Sequence, residues 1–87
     1  MRLPIGFRAD HEVDAYEIAY GRLPDAGFVH HDERIVPGAG AAIGPAGDVV
    51  AIELLDLQPA TLAAAAAYAA ARGLAFPADV RRLVAAS

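Results

Sequence analysis

Apolar and polar positions alternate most regularly over residues 14–20, with Tyr16, Ile18 and Tyr20 on one side and Ala15, Glu17 and Ala19 on the other. Strict period-two alternation predicts a strand with one buried face. Residues 49–55 predict a second strand of a different kind. Val50, Ile52 and Leu54 share one side, Val49, Ala51, Glu53 and Leu55 the other, so both faces are largely apolar. Such a strand belongs at the centre of a sheet, covered on both sides. Weaker strands are expected at residues 3–8, at 27–34 (where Phe28, His30 and Asp32 would share a face and Pro37 ends the run), and at 40–44. The acid-rich stretch 8–14 and the sequence Pro45-Ala46-Gly47-Asp48 read as turns.

Near Gln58 the pattern changes from β-branched and aromatic residues to a run dominated by Ala. Pro59 suits a first helical turn, Ala propagates a helix best, and Gly73 suits a left-handed stop after Arg72. Pro77 opens a second short helix to about residue 86, with Val80, Leu83 and Val84 as its apolar stripe and Asp79 in its first turn. The expectation is a single α+β domain over residues 1–87. A four- or five-stranded antiparallel meander fills 1–57, and an Ala-rich helix and a short C-terminal helix fill 58–87.

Composition sharpens this picture chiefly by what it lacks. The 87 residues include no Lys, no Cys and no Trp, and the only Ser is Ser87 at the end. That removes Schiff-base chemistry, a phosphate-loop lysine, thiol catalysis and thiolate metal sites, and leaves no Ser that a rigid triad could hold. Thr61 falls at the helix start, where a capping role is expected. The sequence thus leans away from an enzyme, and no cofactor is expected. The 22 Ala inflate the 56% apolar fraction, so large core side chains are few and some apolar surface is expected to need covering.

A net charge of −4, with seven Arg scattered among eleven carboxylates, offers no basic face for nucleic acid. The N-terminal residues are broken by Pro, Gly and Arg before a signal-peptide core can form, and no uncharged run is long enough to span a bilayer. A soluble cytoplasmic protein with no membrane partner is expected.

Three features could carry chemistry. Gly38, Gly40 and Gly44 imitate a phosphate loop, but Ile43 stands where the dinucleotide fingerprint needs its third Gly, and a flexible hairpin arm is the plainer reading. Asp10 and His11 on one loop, with His30, His31 and Asp32 on another, could ligate a Zn²⁺- or Mn²⁺-like ion or a small ligand. Adjacent His30 and His31 would point to opposite faces of a strand. Glu53, set among apolar strand residues, could act as a general base of raised pKa, or pair with Arg8 or Arg34. The thin Ala-rich helix and its successor suggest an interaction surface built on Leu62, Tyr68, Val80, Leu83 and Val84.

Taken together, Asp10, Asp14-Ala15, Ile18 and the run Gly47-Asp48-Val49-Val50-Ala51-Ile52-Glu53-Leu54-Leu55-Asp56 resemble a small bacterial family, domain of unknown function 2283, over about residues 5–56. The segment Ile52-Glu53-Leu54-Leu55 is the more specific half. The chain departs from the family pattern at Phe7-Arg8-Ala9-Asp10, at Tyr16-Glu17 and at Ala51. The resemblance implies a small antiparallel meander with a helix, no established activity and no catalytic set, in a family often encoded beside small toxin-like proteins. The reading that follows is a small non-enzymatic interaction domain. It would pair with itself, as a homo-oligomer and most simply a dimer, or act as the antitoxin-like partner of a basic toxin-like protein. A metal- or small-ligand-binding domain and a structural subunit of a larger assembly are the alternatives.

Overall fold

The computed structural model describes residues 1–22 and 31–87. Its strands are β1 (Gly6–Asp10), β2 (Ala15–Ala19), β3 (His31–Val36), β4 (Ala39–Ile43) and β5 (Val49–Leu54), followed by the helices α1 (Pro59–Ala71) and α2 (Val80–Ala86). All strand pairs are antiparallel, in the order β1-β2-β5-β4-β3. The fold is α+β, as the patterning predicts. A hairpin, β1–β2, and a three-stranded meander, β3–β4–β5, are joined edge to edge through β2 and β5, so the strands follow sequence order only within each part. β5 is central, as its two apolar faces require.

The first strand begins later than expected. Residues 1–5 lie outside it, with Arg2 bridging Leu74 in parallel beyond the end of α1 and the Ile5 N–H reaching Ala19 O at 2.7 Å. The strand also runs on to Asp10, which pairs with Ala15, so the turn shrinks to residues 11–14. Asp14 closes it at φ 50°, a left-handed conformation that Asp tolerates. Asp10 steadies the turn by accepting the Glu12 N–H at 3.1 Å. In the expected strand 27–34, residues 27–30, including Phe28 and His30, lie outside the described residues.

Ile18, Ile52 and Leu54 are fully buried, and one cluster joins them to Tyr16, Tyr20, Ala39, Ala41, Ala65, Ala69, Leu74 and Val80. The helices therefore cover the face that carries Ile18 on β2, Ala41 on β4 and Ile52 on β5. α1 buries Thr61, Ala65 and Ala69, a stripe of i, i+4, i+8 spacing, and its Cα atoms come within 8 Å of β3 and β4. The side chains at this contact are short on both elements, Ala65 and Ala69 on the helix and Ala39 and Ala41 on β4. The Ala-rich helix is a thin cover for a strand of Ala and Gly.

Capping follows from sequence with two adjustments. The N–H of Leu74 reaches Ala69 O at 2.9 Å and that of Gly73 reaches Ala70 O at 3.2 Å, with Gly73 at φ 69°. This is the Schellman arrangement expected of a helix that stops at Gly. α2 starts at Val80, later than Pro77, and Asp79 is its N-cap, accepting the Arg82 N–H. Thr61 is not a cap either. Its hydroxyl donates to the Asp56 carboxylate, which also accepts the Gln58 N–H at 3.0 Å. These bonds, the Thr61 hydroxyl foremost, hold the Asp56 carboxyl below its ordinary 3.8.

Two expectations follow for stability. A Cβ on Gly38 would lie 2.8 Å from Asp56 Cγ and 2.9 Å from Thr61 Oγ1. Gly38→Ala should therefore cost about 1–3 kcal/mol in urea denaturation, and adding Asp56→Ala should cost less than the two single losses together. Because the folded pKa of Asp56 is depressed, its contribution is present above roughly pH 4 and is lost as pH falls through the folded value. Thr61→Val should remove part of that acid sensitivity in thermal melts between about pH 6 and pH 2. An unchanged profile would show that the Thr61 hydroxyl does not hold the ionised form.

Candidate functional site

The sheet's other face is not covered by α1 or α2. Across it the register aligns Arg8, Glu17, Glu53, Gly40 and Arg34, one from each strand in spatial order. Arg8 pairs with Glu17 at 3.5 Å, the Arg side chain being far more exposed than the Glu. Such a surface pair adds little to stability. Glu53 is exposed on this face. Beside the β1–β2 turn lies an open groove of about 650 Å³, lined by Arg8, Asp10, His11, Glu17, Glu53 and Leu55 among others. His11 packs edge-on to Tyr16, ring centroids 6.2 Å apart.

The proposed metal ligands do not converge. Asp10 and His11 stand at the β1–β2 turn, and His31 and Asp32 on β3, the opposite edge strand. Four inter-strand steps separate the two edges, roughly 19 Å. Asp10 also lies toward the Leu54 end of β5 and His31 toward the Val49 end, so the pairs occupy diagonal corners. His30 lies outside the described residues. Among the described residues no three His, Asp or Glu groups are placed to hold an ion. Sequence spacing brought the two loops together only on the assumption that their strands were neighbours.

No known protein family, curated protein or solved structure matches the chain.

The apolar residues assigned to an interaction surface are mostly core. Val80 is 4% exposed, and Leu62, Tyr68 and Val84 pack half-buried against the core cluster. Tyr68 is further committed. Its hydroxyl donates to Glu33 on β3 at 2.9 Å, and the Arg72 guanidinium sits 3.5 Å over its ring. Burial, and then the Glu33 bond, push that hydroxyl above its ordinary pKa. Of the five, Leu83 alone is exposed. The helix stripe turned inward because its few large side chains were needed to cover the sheet.

The apolar surface that does remain open lies elsewhere. Leu3 is 72% exposed and Ile5 62%, immediately before β1, and Val13 in the β1–β2 turn is 66% exposed. Leu55, at the end of β5, is exposed as well. The sequence signal was available in the alternation Leu3, Ile5, Phe7, which reads as a strand face. That a strand at the sheet edge leaves such residues uncovered is decided by topology.

Excess Zn²⁺ or Mn²⁺ is expected to leave Tm unchanged. A site built from the His and Asp cluster would raise it by about 10 °C or more at a hundredfold excess over Kd, and a shift of that size abolished by His11→Ala or His31→Ala would show the ligands converging after all.

Proposed function

We propose that the chain is a small non-enzymatic interaction domain of the cytoplasm, which works by joining a protein through the β1 edge of its sheet. The observation that carries this is the pairing of Leu3 and Ile5, both strongly exposed, with a terminal strand whose outer side meets no other described strand. An exposed edge is a template for pairing, and covering each Leu or Ile is worth about 1.5–3 kcal/mol. Contiguous exposed apolar surface beside such an edge marks an interaction site.

Charge bears on the partner. A net charge of −4 disfavours nucleic acid and suits either a basic protein or a surface on which the chain's own charges interlock. The resemblance to domain of unknown function 2283 supports an antitoxin-like version of this role, since genes of that family often lie beside those of toxin-like proteins. The metal-binding alternative loses its support with the separation of Asp10 and His11 from His31 and Asp32.

Light scattering of the untagged chain should show mass rising above the 9.0 kDa monomer as concentration reaches the high micromolar range, or a stoichiometric complex with a protein encoded beside it. A strict monomer with no bound protein would overturn the interaction reading.

A further inference from the structure

We infer that the partner at this edge is a second copy of the chain, joined β1 to β1 antiparallel about a two-fold axis through Ala9, an inference that rests on the interaction reading above. The two five-stranded sheets then form one continuous sheet with both helix layers on the same side.

The two edges of the sheet differ in their fitness for pairing. β3 carries four exposed polar or charged residues, His31, Asp32, Glu33 and Arg34, and its register breaks between Arg34 and Val36. Charge and bulges of this kind blunt an edge against association. β1 is regular, five residues in unbroken register with β2, and has no Pro. Its exposure alternates: Gly6, Arg8 and Asp10 are open, whereas Phe7 and Ala9 are half-buried and pack against the core.

A two-fold axis perpendicular to the sheet pairs residues that lie on the same face, so each allowed register is centred on one residue of β1. Centring on Arg8 opposes Arg8 to itself, and centring on Asp10 opposes Asp10 to itself; like charges directly opposite destabilise a strand pair. Centring on Phe7 sets Arg8 against Gly6, and centring on Gly6 sets Arg8 against Pro4; neither makes an ion pair. Centring on Ala9 sets Arg8 against the partner's Asp10 and Asp10 against the partner's Arg8, two cross-strand ion pairs from one symmetry operation. The same register places Phe7 beside the partner's His11. It also brings the end of the chain before β1, where Ile5 is 62% exposed, toward the partner's β1–β2 turn, where Val13 is 66% exposed. Charge and apolar complementarity thus select one register.

The chain contains no Cys, so a single introduced thiol reports on the interface. Ala9 residues facing across an antiparallel pair have Cα atoms about 4.5–5.5 Å apart, within disulfide range. Ala9→Cys should form a covalent dimer under mild oxidation, and Arg34→Cys, on the opposite edge, should not. Asp10→Arg and Arg8→Asp should each weaken the dimer about tenfold or more, and an equimolar mixture of the two should recover it, because both ion pairs then reform between unlike chains. If light scattering shows a dimer but Ala9→Cys does not cross-link, or Asp10→Arg dimerises as well as the parent, the β1 pairing is overturned while the interaction reading stands. A strict monomer with no bound protein removes both.

Discussion

Close approach of α1 to the β3–β4 half of the sheet is the constraint on which the rest of the structure depends. Ala65 and Ala69 on the helix share a core with Ala39 and Ala41 on β4, and Gly38 sits tight against Asp56 and Thr61 at the helix entrance. A Cβ on Gly38 would meet both of those side chains. The large apolar side chains Ile18, Ile52 and Leu54 belong to the same core cluster as Leu74 and Val80, with Phe76 packed against it. A chain with 22 Ala folds by bringing backbone layers together rather than by filling space with bulk.

That arrangement leaves the ends of the layers to be tied by polar groups. Arg2 does most of this. Its guanidinium donates to Val49 O at 3.1 Å and Tyr20 O at 2.8 Å, and its backbone bonds Gly73 O and the Ala75 N–H. The Tyr20 hydroxyl donates to Ala75 O at 2.8 Å. One N-terminal residue thereby links β2, β5 and the loop after α1. The Ile5 N–H still reaches Ala19 O on β2 at 2.7 Å, while the side chains of Leu3 and Ile5 stay exposed.

The elements were legible in the sequence wherever one local signal sufficed. Period-two alternation located β2, the doubly apolar run located β5 at the sheet centre, and Pro59 with Gly73 bounded α1. The candidate sites were less legible because each required knowing which strands are neighbours. Asp10, His11, His31 and Asp32 read as one cluster if the two loops adjoin, and fall at diagonal corners once β5 is inserted beside β2. Val80 and Tyr68 read as a free apolar stripe until the sheet claimed them for cover.

The sequence by itself determined the identity of most elements, their turns and caps, and the loss of thiol and Lys chemistry, because these depend on residue type and on neighbours a few positions away. Tertiary structure alone decided the strand order, and with it which strand is an edge and which groups face one another. Those properties arise from pairing between segments tens of residues apart, where hydrogen bonding along the backbone is nearly indifferent to side chains. For this chain the choice fell on the order that puts the largely buried β5 at the centre and lets α1 lie on small β4. That order makes β1 a terminal strand among the described residues, with the exposed Leu3 and Ile5 beside it.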